Sequence, residues 1–476
     1  TTQATAFEAS LTYINQAFSL FNHYNISDSS LKYQILLQKS ELEFLNGNLE
    51  QSLELSNQLL NLATSNLDKA SVYNRLILHI TMKGDYQTAT EYGIKALQLL
   101  DIPFSMEQIE PQIGAEIHEI NTLLGNKTID SLINLPELVE ARGKLAIAVL
   151  VNMQTSAYYT DKTLWTLLNL KAALLSIKHG NVPESASAYF GYGVVLCAVM
   201  GNYQAGYQFG KLAYDLSLQF NSLSQLCKSC NIFANFITIW SKHLSYTERL
   251  NELGFQAGID SGELQFAGFL LVHKTINPFL LGKNLENIHQ QVVEYIKFAQ
   301  KTNNKAAFDA LSAIKVVFDN MLGNTSHINH FSNEFFDEEK VEEMKKRQEF
   351  LVLATFLPLQ GIVYYIYEEY HKAKELFEES SSYLFVITGT FLNIEYNFFH
   401  SLSLLQTLEN KSIEERTSTL EQIENNQKQM KIWADSCPEN FYHKYCLVEA
   451  ELARVKGNTL EAMNLYDEAI KGAEEN

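Results

Sequence analysis

Gly84-Asp85-Tyr86-Gln87-Thr88-Ala89 is the stretch that decides how this chain folds. The same phrase returns as Gly201-Asn202-Tyr203-Gln204-Ala205-Gly206 and as Gly457-Asn458-Thr459-Leu460-Glu461-Ala462. Gly47-Asn48-Leu49-Glu50-Gln51-Ser52 is a looser copy, and Glu368-Glu369-Tyr370-His371-Lys372-Ala373 keeps the Tyr and Ala but lacks the glycine. Each phrase reads as the turn of a helix hairpin. The glycine takes the left-handed conformation that ends one helix, Asn or Asp caps the next, and the closing small residue lets two backbones approach. One such hairpin leaves part of its apolar face uncovered, so it is built to stack on copies of itself.

Working outward, Leu36, Leu37, Ser40, Glu41 and Phe44 run at helical spacing up to Gly47, and Tyr73, Leu76, Ile77 and Ile80 lead into Gly84. Positions 47 and 84 lie 37 residues apart, close to a two-helix repeat of tetratricopeptide size, and 117 residues separate positions 84 and 201, roughly three such lengths. Ile102-Pro103 stops the first array. Pro136-Glu137 suits a first helical turn, so a helix is expected from Pro136 to about Tyr159. Another is expected from about Asp161 to His179, ending at Gly180-Asn181. Further helices run through Trp240 and His273, with turns at Asn277-Pro278 and Gly282-Lys283-Asn284. The polar stretch 323–333 reads as a surface loop, and a long helix is expected from about Glu334. No stretch alternates with period two. The expected fold is an all-α, right-handed superhelical solenoid of antiparallel helix pairs with degenerate tetratricopeptide-like repeats. Its expected divisions are 1–101, 102–322, the loop 323–333, and 334–476.

With 476 residues and 46% apolar content the chain can bury a large interior, while 22 Gly and 7 Pro are too few to punctuate many short strands. A formal charge of −19 repels phosphate backbones and anionic lipid, so nucleic-acid and membrane-surface partners are disfavoured. Lys345-Lys346-Arg347 follows Asp337, Glu338, Glu339, Glu342 and Glu343, the order a helix dipole favours, and reads as a solvated helix. Cys197, Cys227, Cys230, Cys437 and Cys446 are an odd, scattered set without a signal segment or an uninterrupted apolar run near 18 residues. This points to free thiols in a cytoplasmic compartment. The chain starts Thr1-Thr2-Gln3-Ala4 and stops straight after a helical stretch at Glu475-Asn476, which reads as a segment of a longer protein.

Motifs of catalysis are missing. Gly143-Lys144, Gly210-Lys211 and Gly282-Lys283 each lack the hydroxyl residue of a phosphate loop, and no dinucleotide, zinc-protease, nucleophile-elbow or kinase signature occurs. No catalytic residue, metal site or cofactor is expected. Cys227-Lys228-Ser229-Cys230 has the spacing of a metal or redox pair but lacks a second pair nearby, and it sits in a helical stretch, so it reads as two buried or half-buried helix cysteines. His327 and His330 read as solvated loop residues. Tyr158, Tyr159, Tyr189, Tyr192, Tyr203 and Tyr207 form an aromatic-rich set with two open readings. They are packing between helices, or else Tyr158, Tyr189, Tyr192, Tyr203 and Tyr207 line a concave binding groove.

Between the hairpins stand phrases more specific than the repeat. They are Ser131-Leu132-Ile133-Asn134-Leu135-Pro136-Glu137-Leu138, then Gly180-Asn181-Val182-Pro183-Glu184-Ser185-Ala186-Ser187-Ala188-Tyr189, then Trp433-Ala434-Asp435-Ser436-Cys437-Pro438-Glu439-Asn440-Phe441. Over most of residues 60–476 the chain resembles the helical-repeat region of large bacterial hybrid signalling kinases. The resemblance implies a serine/threonine-kinase-like domain and an AAA-type ATPase before the repeats, with a GAF sensor and a histidine kinase or other output domain after them. It thereby implies a non-catalytic regulatory solenoid. Its expected partners are a protein, a peptide or neighbouring domains of the same chain, with a small-molecule ligand compatible. The alternative reading is a stand-alone peptide- or protein-binding adaptor.

Overall fold

In the computed structural model, which describes residues 2–347, 349–409 and 411–476, the fold is all-α and built of helical repeats. Thr1, where the chain's cut-looking start was read, lies outside the described residues. Among those residues there is no strand, and one isolated parallel bridge pairs Glu137 with Asn181. The chain divides into two compact units. The first comprises Thr1–Leu196, Gln208–Ser229 and Ala257–Glu263, and the second comprises Cys197–Tyr207, Cys230–Gln256 and Leu264–Asn476. The polar stretch 323–333 runs inside the second.

All five copies of the opening phrase sit at hairpin turns, immediately before the helices Leu49–Leu62, Tyr86–Leu99, Tyr203–Gln219, Tyr370–Ser380 and Thr459–Glu475. Four of the turns share one hydrogen-bond pattern. Gly84 N–H donates to Thr81 O (3.0 Å) and Asp85 N–H to Ile80 O (3.3 Å), and the same two bonds recur at Gly47/Asn48, Glu368/Glu369 and Gly457/Asn458. They close the orphan carbonyls at the end of the preceding helix. Glu368 keeps this geometry without glycine, at φ 63° against 81° for Gly84. The turn is therefore as tight as its neighbours, and the strain falls on the Glu368 backbone. A further copy at Asn303-Asn304, with Asn303 at φ 52°, precedes the helix Lys305–Met321 and carries no glycine to announce it. Capping is less uniform than the phrase suggests. Asp85 and Asn202 accept from Thr88 N–H and Ala205 N–H (both 3.1 Å), whereas the Asn48 side chain donates to Glu43 (2.7 Å) and Asn458 to Glu461 (3.1 Å). The small residues Ser52, Ala89, Ala373 and Ala462 are all buried where the backbones approach.

In the first unit, Leu36, Leu53, Leu55, Leu59, Val72 and Leu76 form one apolar cluster. Ala89, Ala96, Ile147, Leu150, Met153 and Leu168 belong to a second. The helix expected from Pro136 starts instead at Ala141, capped by Glu140, and breaks at Met153. Pro136 to Leu138 is extended because its backbone pairs with another segment: Asn181 N–H donates to Pro136 O (2.9 Å) and Leu138 N–H to Asn181 O (3.0 Å). In the second unit the core is aromatic, with Phe336 on Phe356 (4.8 Å), Phe279 on Phe318 (5.1 Å) and Phe391 on Phe441 (5.6 Å). Two expectations there are corrected. Asn277-Pro278 is no turn but lies within the helix Leu264–Leu280, and the helix expected near Glu334 starts at Glu338. Asn333 delays it, because its side chain accepts from Phe335 N–H and Phe336 N–H and holds a non-helical turn. The basic run closes that helix as expected, Lys345 pairing with Glu342 (2.7 Å) and Arg347 with Glu343 (3.3 Å).

Candidate functional site

The second unit contains an irregular segment in the stretch where helices were expected to run through Trp240. Phe233–Ile237 is a π-helical turn followed by 3-10 turns at Thr238–Trp240 and Leu244–Tyr246. Such insertions leave backbone groups unpaired and are enriched at functional sites. Here one side chain satisfies several of them. Asn440 accepts from Leu244 N–H (2.9 Å) and donates to Ile239 O and Lys242 O (both 2.8 Å), while the Ser436 hydroxyl donates to Trp240 O (2.5 Å). Phe441 packs on Trp240 (6.0 Å). The Cys-Pro-Glu-Asn-Phe phrase is thus a structural clasp.

From the clasped segment Asn235 reaches a buried amide network. It exchanges two hydrogen bonds with Asn251 (2.8 and 3.2 Å), and its carbonyl oxygen also accepts from Asn277 (2.9 Å). Asn277 donates in addition to the Thr247 hydroxyl (3.0 Å). Thr247, Asn251 and Asn277 form the floor of a cleft of about 360 Å³ between the helices Thr247–Ser261, Leu264–Leu280 and Leu285–Lys301. That volume lies at the lower end of small-molecule sites. Its walls carry two ion pairs, Lys283 with Glu248 and Lys274 with Glu252, both at 2.6 Å. The Lys274 ammonium also lies over the rings of Phe255 (4.6 Å) and Tyr295 (5.4 Å). His273, half-buried beside Phe236, is desolvated and pushed down to about 4, so near neutrality it is an uncharged imidazole. Pro278 has no amide hydrogen, which removes the helix partner of the Lys274 carbonyl at the cleft wall. Asn284 caps the third helix through Asn287 N–H (3.0 Å). The cleft can bind and orient a small polar molecule. Among the described residues that line it, none is a nucleophile paired with a base.

The tyrosines picked out from sequence do not converge on this cleft. Tyr158, Tyr189 and Tyr192 belong to the first unit, Tyr203 and Tyr207 to the second. Tyr189 and Tyr192 are buried, at 0% and 3% exposure, and neither lines an open groove. Their rings pack on Phe209, and the Tyr189 hydroxyl donates to Asn181 (2.9 Å). Asn181 in turn donates to Leu132 O (2.8 Å), so the Asn-Val-Pro-Glu-Ser phrase is a second clasp. Tyr158 sits against Trp165 (5.6 Å), half-buried, with Lys162 over its ring. Tyr203 stacks on Trp240 (5.2 Å) and Tyr207 packs at a tilt against Phe233 (5.3 Å), both half-buried. Cys227 and Cys230 are buried on the helix Leu223–Ile232, and burial raises the Cys230 thiol to about 12. Both ring nitrogens of His330 lie within hydrogen-bond distance of serines, Ser326 (3.0 Å) and Ser332 (3.1 Å). Among the described residues no group of three or more His, Cys, Asp or Glu could hold a metal ion, and no helix is long and apolar enough to cross a membrane.

No family model matches the chain. Over 306 residues, 60% of its length, it is 22% identical to hybrid signal transduction histidine kinase G of Dictyostelium discoideum, and it spans 9% of that protein. Among solved structures it is similar to a signal transduction ATPase with numerous domains carrying a tetratricopeptide repeat sensor, from Pyrococcus horikoshii. That likeness is at 12% identity and a TM-score of 0.34, covering 94% of this chain and 72% of that one.

Proposed function

We propose that this chain is the non-catalytic regulatory and sensor region of a multidomain signalling ATPase or kinase, of the bacterial hybrid, two-component type, working in the cytoplasm. It couples binding of a protein, a peptide, neighbouring domains of the same chain or a small ligand to output. The observation that carries this reading is the likeness in sequence to a hybrid histidine kinase over 306 residues. The helix-hairpin array supports it, because stacked repeats present surfaces for partners, and so does the preorganised cleft. Tyr158, Tyr203 and Tyr207 stand as secondary contact residues for a partner.

Coupling requires two states that differ in affinity for what binds. The segment 233–246 is suited to that role, being irregular backbone held by Asn440 directly ahead of a cleft helix. The test is kinase output of the full-length protein that contains this chain, with Asn251→Leu against the natural residue. Substituting the cleft floor is expected to shift autophosphorylation at least about threefold. Unchanged autophosphorylation together with unchanged small-angle scattering would sink the sensor role.

A further inference from the structure

Size, charge balance and preorganisation together specify what the cleft selects. Its four charged side chains are Glu248, Glu252, Lys274 and Lys283, two of each sign, and His273 adds none near neutrality. A bare anion entering here meets two carboxylates and a bare cation meets two ammonium groups, so each is opposed as much as it is attracted. A molecule carrying both charges a few ångströms apart is matched at both ends. The existing ion pairs leave room for it. Each pair joins one ammonium to one carboxylate oxygen, Lys283 to Oε1 of Glu248 and Lys274 to Oε2 of Glu252. Each lysine then has two further N–H donors and each glutamate a second oxygen. The Lys283 and Glu248 side chains are 47% and 41% exposed, so exchanging part of their attraction for a ligand's charges costs little.

The two ends of the cleft differ. Lys283 precedes the capped start of the helix Leu285–Lys301, whose dipole favours negative charge there. Glu252, 66% exposed, stands toward Tyr295 on the opposite wall through Lys274. The floor amides of Asn251 and Asn277 are already fixed by Asn235, so binding need not order them.

We propose that the cleft binds a free α-amino acid, its carboxylate at Lys283 and the start of helix Leu285–Lys301, its ammonium at Glu252. This rests on the sensor reading for its purpose but not for its chemistry. The test is calorimetry on the whole chain with each of the twenty free amino acids, followed by the N-acetylated and carboxamide forms of whichever binds most tightly. At least one free amino acid is expected to bind with a dissociation constant of about 1 mM or below, with each blocked form about tenfold weaker. Lys283→Met and Glu252→Gln are each expected to weaken binding about tenfold while the melting temperature stays within a few degrees, since both side chains reach solvent. The inference is overturned if all twenty fail to bind by about 10 mM. It is equally overturned if a blocked form, such as a peptide-like N-acetyl amide, binds as well as the free one, or if both variants bind as the natural chain does. Binding without any change in kinase output would retire the sensor role and leave this inference standing.

Discussion

At Asn181 in the first unit, the clasp works mainly through backbone, pairing with Pro136 and Leu138 as a two-bond bridge, with the side chain adding Leu132 and Tyr189. At Asn440 in the second unit, the side chain alone ties three backbone groups of an irregular segment. The first clasp joins segments that lead only into packed helices. The second holds the segment that supplies Asn235 and leads into the helix bearing Thr247, Glu248, Asn251 and Glu252. Two phrases that look equally distinctive in sequence therefore differ in reach: one secures a fold, the other also secures a cleft.

The largest effects are expected at the two clasps, at Asn440 and at Gly180 beside Asn181. Asn440→Ala leaves an amide and two carbonyls without partners, a loss of roughly 3–6 kcal/mol. It is expected to speed amide exchange across 233–256 and to weaken cleft binding. Gly180→Ala should cost about 3 kcal/mol or more, because Gly180 sits at φ 112°, ψ 172°, and an added Cβ would stand 2.3 Å from Pro136 O. Its effect on chemical denaturation should come without any change in cleft affinity. Equal effects of both substitutions on the cleft would mean that the two clasps do not differ in reach.

Acid sharpens the contrast between the units. His79 in the first, and His273, His400 and His443 in the second, are each pushed down from 6.5 to about 4, foremost by burial. A depressed folded value means the unfolded chain binds protons first. The stability these groups contribute is complete above pH 6.5 and is lost as pH falls toward 4, up to roughly 3 kcal/mol per histidine. Protection factors, exchange corrected for its intrinsic pH dependence, should therefore fall more steeply from pH 7 to pH 4.5 in the second unit, and equal slopes would contradict this.

The smallest effect tests the hairpin turns. Glu368→Gly should stabilise by about 1 kcal/mol, since it removes left-handed strain at a turn whose hydrogen bonds already match those at Gly84. A lowered melting temperature would mean that the Glu368 side chain contributes more than its backbone costs.

Much of the architecture was legible because glycine, a capping residue and a small residue within six positions encode a turn locally. Asn303-Asn304 escaped notice because Asn also tolerates the left-handed region, without glycine's signal. Pro136 misled for a related reason: it suits a first helical turn and an extended segment equally, and only Asn181, 45 positions away, decides between them. The cleft was not legible at all. Asn235, Asn251 and Asn277 lie on different elements, share no spacing rule, and gain meaning only when packing brings them within 3.2 Å. The tyrosines drew attention by abundance, yet Tyr189 and Tyr192 are what an aromatic core requires.

The π-helical turn at Phe233–Ile237 makes the length of this chain unusually consequential at one place. Such a turn holds one residue more than an α-helix would need. Deleting a single residue there would let the backbone close as an ordinary helix, with every hydrogen bond remade. It would also narrow the turn and shift the residues within it, carrying Asn235 away from Asn251 and Asn277. A substitution in the walls of the cleft leaves this turn in place, whereas a gene that loses one codon here keeps a helix and loses the placement of Asn235 beneath the floor.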